Sequence, residues 1–159
     1  MPKLTLVDLE LDVPQNWKDQ GMVTLTLPST DKKVRPNIIV TKERLAQPIE
    51  LNDYFEKIKQ SVQARGIKSF EIVDEFELDV GGVPAMEMIC RWDLSAMKEM
   101  TPGQNLEHIQ DGQMVQQIQV SMIKDDSAIN FTASFPADQF NIYQRPFDNF
   151  IQSLKFIAE

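Results

Sequence analysis

Six stretches of this chain alternate apolar and polar residues with a period of two, the spacing of a half-buried β-strand. Met22 to Leu27 reads MVTLTL, with Val23, Leu25 and Leu27 on one side and Met22, Thr24 and Thr26 on the other, and Pro28 stops it. Asn37 to Glu43 (NIIVTKE) follows a polar, basic turn, so these two stretches are expected to pair as an antiparallel hairpin. Phe70 to Val80 alternates next, with Phe70, Ile72, Phe76, Leu78 and Val80 expected inward and acids between them. Gly81-Gly82 is hairpin turn chemistry, and Ala85 to Leu94 is the partner strand. Met114 to Lys124, a turn at Asp125-Asp126, and Ala128 to Phe135 complete the set.

Two helical patterns interrupt the strands. Phe55, Ile58 and Val62 recur at helical spacing after Asn52 or Asp53, either of which can cap the helix, and Gly66 sits where a left-handed stop belongs. Ile142 to Phe156 carries an apolar stripe of Phe147, Phe150, Ile151 and Leu154, with Pro146 expected near its first turn. The order strands, helix, four strands, helix predicts an α+β fold with a mainly antiparallel twisted sheet. Both helices are expected on one face. No linker or repeat divides the chain, so residues 1–159 are expected to form a single domain. Ahead of the first long strand, Leu4 to Leu6 and Leu9 to Val13 read as short extended segments, and Trp17 as an anchor after the Pro14-Gln15-Asn16 turn.

Separating the two registers sharpens the expectation. The more apolar one holds Val23, Leu25, Leu27, Ile38, Val40, Met86, Met88, Trp92, Ile118, Val120, Met122, Ile129, Phe131 and Phe135, a core for the helices to cover. The other holds Met22, Thr24, Thr26, Asn37, Ile39, Thr41, Ile89, Val115, Gln117, Gln119, Ser121, Asn130, Thr132 and Ser134. It is nearly uncharged, Glu87 and Arg91 excepted. One reading is an ordinary threonine-rich solvated face. The other is a recognition floor, where small groups permit close approach and Gln and Asn bond to a guest.

Chemistry beyond binding is scarce in the sequence. His108 is the single histidine and lies in the polar stretch Ser95 to Gly112, where a solvated side chain is expected rather than a general base. Cys90, the single cysteine, sits among Met86, Met88 and Trp92 with no cation evident to stabilise a thiolate. One His and one Cys argue against zinc, the acids Asp74, Glu75, Glu77 and Asp79 lack calcium-loop spacing, and no glycine loop precedes a helix to hold phosphate. No catalytic residue, cofactor or metal is expected. The net charge of −8 argues against nucleic acid and anionic lipid. Acids at Asp8, Glu10 and Asp12 break the opening, so no signal peptide or lipidation site is read there, no window suits membrane insertion, and a cytoplasmic location is expected.

Leu11 to Gln20 (LDVPQNWKDQ), the MVTLTLP and NIIVT strands, Gly81-Gly82 before a strand ending in Trp92, and Phe135-Pro136-Ala137-Asp138 before the last helix occur in an order that resembles the DcrB-like family. Its fold is similar to the PsbP-like α/β sandwich. Within it the chain looks most like the Eag chaperones of type VI secretion. That resemblance implies a cytoplasmic protein, commonly a homodimer, that holds the N-terminal transmembrane helices of an Rhs or PAAR-type effector before loading on the secretion spike. It implies a groove on the concave sheet face, matched here by Met22, Thr24, Asn37, Ile39 and Thr41, and by Gln117 and Gln119. The Ser95 to Gly112 connection is longer than the hairpin usual in that family. The alternative is a generic PsbP-like assembly module with a soluble partner.

Overall fold

A computed structural model describes residues 3–6, 8–17, 21–28, 35–67, 69–93, 95 and 114–157. His108, and the Ser95 to Gly112 connection apart from Ser95, lie outside the described residues. The strands are β1 (Lys3–Leu6), β2 (Leu9–Asp12), β3 (Met22–Thr26), β4 (Asn37–Arg44), β5 (Glu71–Val80), β6 (Val83–Asp93), β7 (Met114–Lys124) and β8 (Ser127–Pro136). Helix α1 (Leu51–Ala64) follows β4, and α2 (Phe140–Gln152) follows β8 through a 3-10 turn at Ala137–Gln139. β1 and β2 form a separate hairpin, whereas the main sheet has six strands in the order β3-β4-β8-β7-β6-β5, each antiparallel to its neighbours. The α+β class and the antiparallel pairing are as expected from the alternation.

The helices do not share a face. In an antiparallel pair, residues directly opposite one another lie on the same side of the sheet. Register therefore groups Ile38, Ala133, Ile118 and Ile89 in one row and Val40, Phe131, Val120 and Glu87 in the next. That side packs against Phe140, Tyr143, Phe147 and Ile151 of α2. Phe135 is the centre of the contact, its ring stacked on Tyr143 with centroids 5.0 Å apart and planes 3° from parallel. Helix α1 lies on the other side, against β6 and β7. Its Lys59 reaches Glu75 of β5 at 2.6 Å, and its Tyr54 meets Asn130 of β8 at 2.8 Å. The layers are thus helix, sheet, helix. The expectation of both helices on one face fails because an amphipathic stripe shows that a helix must cover something, but not which side of the sheet.

Strand β6 shows why. Met86, Met88 and Trp92 were expected to share one core with Val120 and Phe131, with Ile89 opposite. The register instead places Met88 beside Gln119 and Ile89 beside Ile118, so Met86, Met88, Cys90 and Trp92 face α1. Residues 87–90 are all buried, and a strand covered on both sides carries no decisive alternation. On β5 the register shifts between Ile72 and Asp74, a bulge at Val73. It puts Ile72 opposite Cys90 on the α1 side and Phe76 opposite Glu87 on the α2 side, so the expected common inward face of Ile72 and Phe76 is corrected.

Smaller boundaries also differ. Glu50, not Asn52 or Asp53, is the N-cap of α1, its extended φ of −70° and ψ of 146° marking the entry. Gly66, at φ +61°, is the left-handed stop the sequence predicts. Pro146 falls inside α2 rather than in its first turn, because the helix starts at Phe140. Ser153 ends that helix, and its hydroxyl donates to the Phe150 carbonyl at 2.6 Å. Trp17, expected as an anchor, is 68% exposed: its N–H closes a turn onto the Pro14 carbonyl at 3.0 Å, which leaves the ring in solvent.

The two sheet edges differ in charge. β3 carries no ionisable side chain, whereas β5 carries Glu71, Asp74, Glu75, Glu77 and Asp79. The β5–β6 turn uses Gly81 at φ +60° and Gly82 at φ +82°, the left-handed pair that a tight hairpin needs. A Cβ on Gly81 would stand 2.7 Å from Leu154 Cδ2 and 3.1 Å from Phe156, where the tail after α2 packs, whereas one on Gly82 would meet nothing within 4 Å. Both alanine variants lose about 1–2 kcal/mol to the left-handed conformation. Gly81→Ala is expected to lose at least about 1 kcal/mol more, through overpacking. Urea unfolding of the two variants checks this; equal losses would mean that the tail moves aside freely.

Candidate functional site

All seven residues expected to line a partner groove lie on the α1 side. Register pairs Met22 with Thr41, Thr24 with Ile39, Ile39 with Thr132 and Thr132 with Gln119. The neighbouring row runs from Asn37 through Ser134 to Gln117. These residues therefore form one patch across β3, β4, β8 and β7. It divides in two. Helix α1 stands over the β7 part, and the β3 part is open, with Met22 70% exposed.

Between α1 and the sheet runs a groove of about 600 Å3. Thr41, Gln117 and Gln119 line it, with Asn130 and Thr132 beside them on the floor. Met22, Thr24, Asn37 and Ile39 do not line it; they continue the same face outward to the β3 edge. Asn37 bonds locally, its amide donating to the Arg35 carbonyl at 3.2 Å. The wall was not foreseen. It consists of Lys57, Ile58, Ser61 and Val62 of α1 with its C-cap Arg65, and Trp92 also lines the groove. The recurrence of Ile58 and Val62 is a signal for a buried helical stripe, but it becomes a groove wall only once α1 is placed on this side.

The floor is a closed polar network. Thr132 Oγ1 donates to Gln119 Oε1 at 2.6 Å, and Gln119 Nε2 donates to Asn130 Oδ1 at 3.1 Å. Ser121 Oγ donates to the same Asn130 oxygen at 2.7 Å. Asn130 Nδ2 then donates to the Tyr54 hydroxyl at 2.8 Å, which itself donates to Glu43 Oε1 at 2.7 Å. The chain of bonds carries α1 on its Tyr54 end. Burial, with the Glu43 carboxylate beside it, pushes the Tyr54 hydroxyl up to about 12, so it remains a donor throughout the neutral range. At the other end Trp92 Nε1 donates to Gln117 Oε1 at 3.2 Å.

Of the groups weighed for chemistry, His108 lies outside the described residues. Cys90 is buried beside Gln117, and burial pushes its thiol up to about 11, which suppresses the thiolate. No set of three His, Cys, Asp or Glu residues able to hold a metal occurs among the described residues. Among them, no helix is long and apolar enough to cross a membrane.

Glu87 stands apart from the groove. The sequence placed it among the charged exceptions of the free face; register places it under α2, opposite Val120, with only 4% of its surface exposed. Burial first, then the nearby Asp148 and Asp74 carboxylates, push it up to about 7. Arg91, the other exception, is on the same side, and its guanidinium donates to Gln116 Oε1 at 2.9 and 3.2 Å.

The arrangement is that of a helix-flanked antiparallel α+β domain with a polar-floored groove. A DcrB family model matches residues 8–153, and the chain belongs to the DcrB family. The fold is shared with PA94 of Pseudomonas aeruginosa, a protein of unknown function, at TM-score 0.70 and 13% identity, covering 100% of this chain and 99% of that one. It is also shared with LpqN of Mycobacterium tuberculosis, involved in cell envelope biogenesis, at TM-score 0.53 and 14% identity over 91% of this chain and 79% of that one. Cyanobacterial PsbP from Synechocystis aligns at TM-score 0.49 and 14% identity, over 91% of this chain and 83% of that one. In sequence, 83 aligned residues are 30% identical to the adapter protein MecA of Streptococcus pyogenes, covering 43% of this chain. The chain spans 32% of the length of those curated relatives.

Proposed function

We propose that this DcrB-family chain is a cytoplasmic, non-enzymatic chaperone or adaptor that shields the N-terminal hydrophobic segments of a type VI secretion effector of the Rhs or PAAR type until loading on the spike. It acts as a homodimer, without cofactor, nucleic acid or membrane insertion. One observation carries the reading: the α1 side of the sheet, whose patch from Met22 through Thr41 to Gln119 holds no charged side chain, is only half covered, leaving apolar side chains at Met22 and Ile39 beside a groove that Ile58 and Val62 help to line. A membrane helix in water exposes about 20 apolar residues and aggregates, and such a face removes that surface from water.

The test is a titration of the purified chain with a fluorescent Leu/Ala helix of about 20 residues. Replacing both Met22 and Ile39 with glutamate is expected to weaken binding at least about tenfold, since each buries a charge against apolar surface. The unfolding midpoint should move by no more than about 2 °C, as expected for substitutions outside the core. Unchanged affinity in the double variant would remove the β3–β4 face from the site.

A protein-binding module with a soluble partner is the second reading. The floor favours it in one respect: Gln119, Asn130 and Thr132 bond one another rather than presenting free groups to a guest. A soluble partner that leaves this network intact, paired with failure of the apolar helix to bind, would establish it.

A further inference from the structure

The groove beside α1 has a charge asymmetry that the shielding role does not use. Lys57, Ser61 and Arg65 line it at intervals of four residues, one stripe of the helix. A rise of 1.5 Å per residue sets the two cationic positions about 12 Å apart. Neither forms an ion pair among the described residues. Acids are not in short supply, since the chain has 24 Asp and Glu against 16 Lys and Arg. Elsewhere on the same helix Lys59 is held by Glu56 at 2.9 Å and Glu75 at 2.6 Å. Glu43 is the acid among the described lining residues, and its carboxylate is taken by the Tyr54 hydroxyl, three residues before Lys57 on α1. Arg65, at the C-terminal end of α1, also complements the helix dipole. Lys57, in mid-helix, has no such reason.

We infer that the groove selects an apolar segment bearing a carboxylate, seated between Lys57 and Arg65 over the uncharged Gln117, Gln119 and Thr132 of the floor. The inference rests on the shielding role proposed above and names its guest more narrowly. An acidic side chain is a liability in an apolar helix. Here it meets two cations, and the guest itself excludes part of the solvent that would screen them.

Two helical Leu/Ala peptides of about 20 residues, identical except for one central Asp or Asn, separate the cases. Anisotropy titrations of the full chain are expected to show the Asp peptide binding about fivefold tighter. The gap should close in about 1 M salt. It should also close in the Lys57→Gln/Arg65→Gln double variant. Equal binding of the two peptides by the parent chain, or a preference that survives the double substitution, overturns the inference while leaving the shielding role standing. If neither peptide binds, both fall. Lys57 and Arg65 are both exposed, and circular dichroism confirms that the variant is folded.

Discussion

Phe135→Ala is expected to lower stability by about 3–5 kcal/mol, the range for removing a buried phenylalanine ring. Phe135 has no exposed surface, and its ring meets Tyr143, Phe140 and Phe147 at centroid distances of 5.0, 6.2 and 6.3 Å. Those three residues are most of the face by which α2 holds the sheet, so the cavity opens where the helix docks rather than at the periphery. For a domain of this size such a loss is a large part of the total stability and lowers the midpoint by roughly 6–20 °C. Ile142→Ala is the control, because that side chain points into solvent on the same helix and should change stability by no more than about 0.5 kcal/mol. Urea unfolding of both variants decides it. Losses of similar size would mean that α2 contributes little to the fold.

Glu87→Gln is expected to stabilise the protein by about 3 kcal/mol at pH 8 and by little at pH 4.5. The sign follows from the raised proton affinity of the folded state. The folded-state value of about 7 lies above the ordinary 4.5, so between those limits the folded chain keeps a proton that the unfolded chain releases. Stability therefore falls as pH rises from about 4.5 to 7, and the whole penalty, about 1.4 kcal/mol for each tenfold gain in proton affinity, is present above that window. Asp148 on α2, also raised by burial, adds in the same sense. Glutamine fills the same space without the charge, so the variant should show a much flatter profile between pH 5 and 8. Parallel profiles would show that Glu87 is ionised at little cost, with water reaching it beneath the helix.

How much of this was legible depends on what each residue had to report. Strand order was legible because Gly81-Gly82 and Asp125-Asp126 punctuate long alternating runs and leave few topologies. Faces were legible on β3 and β4, where Thr24 and Thr41 contrast with Val23 and Val40. They were not on β6, where Met88 and Ile89 are equally apolar and both buried, nor across the Val73 bulge, where one extra residue reverses the sense of every later side chain. The floor of the candidate site followed from the polar register, since Gln117, Gln119 and Thr41 needed only the strand parity. Its wall did not. Lys57, Ile58 and Arg65 join the site through the side of the sheet that α1 covers, and that is decided by long-range bonds such as Tyr54 to Asn130, 76 residues apart. Glu87 was misplaced for the same reason as Met88: a charged residue in a strand reads as solvated, and only the register shows it under a helix.

The unequal edges of the main sheet set a limit on growth. Two β5 strands brought together would align acids against acids, so repulsion opposes that pairing. β3 has no such barrier. Joining two copies through β3 leaves the acidic strands outermost on both sides, and two such pairs would meet acid against acid. Symmetric edge-to-edge assembly of this domain is therefore limited to two copies.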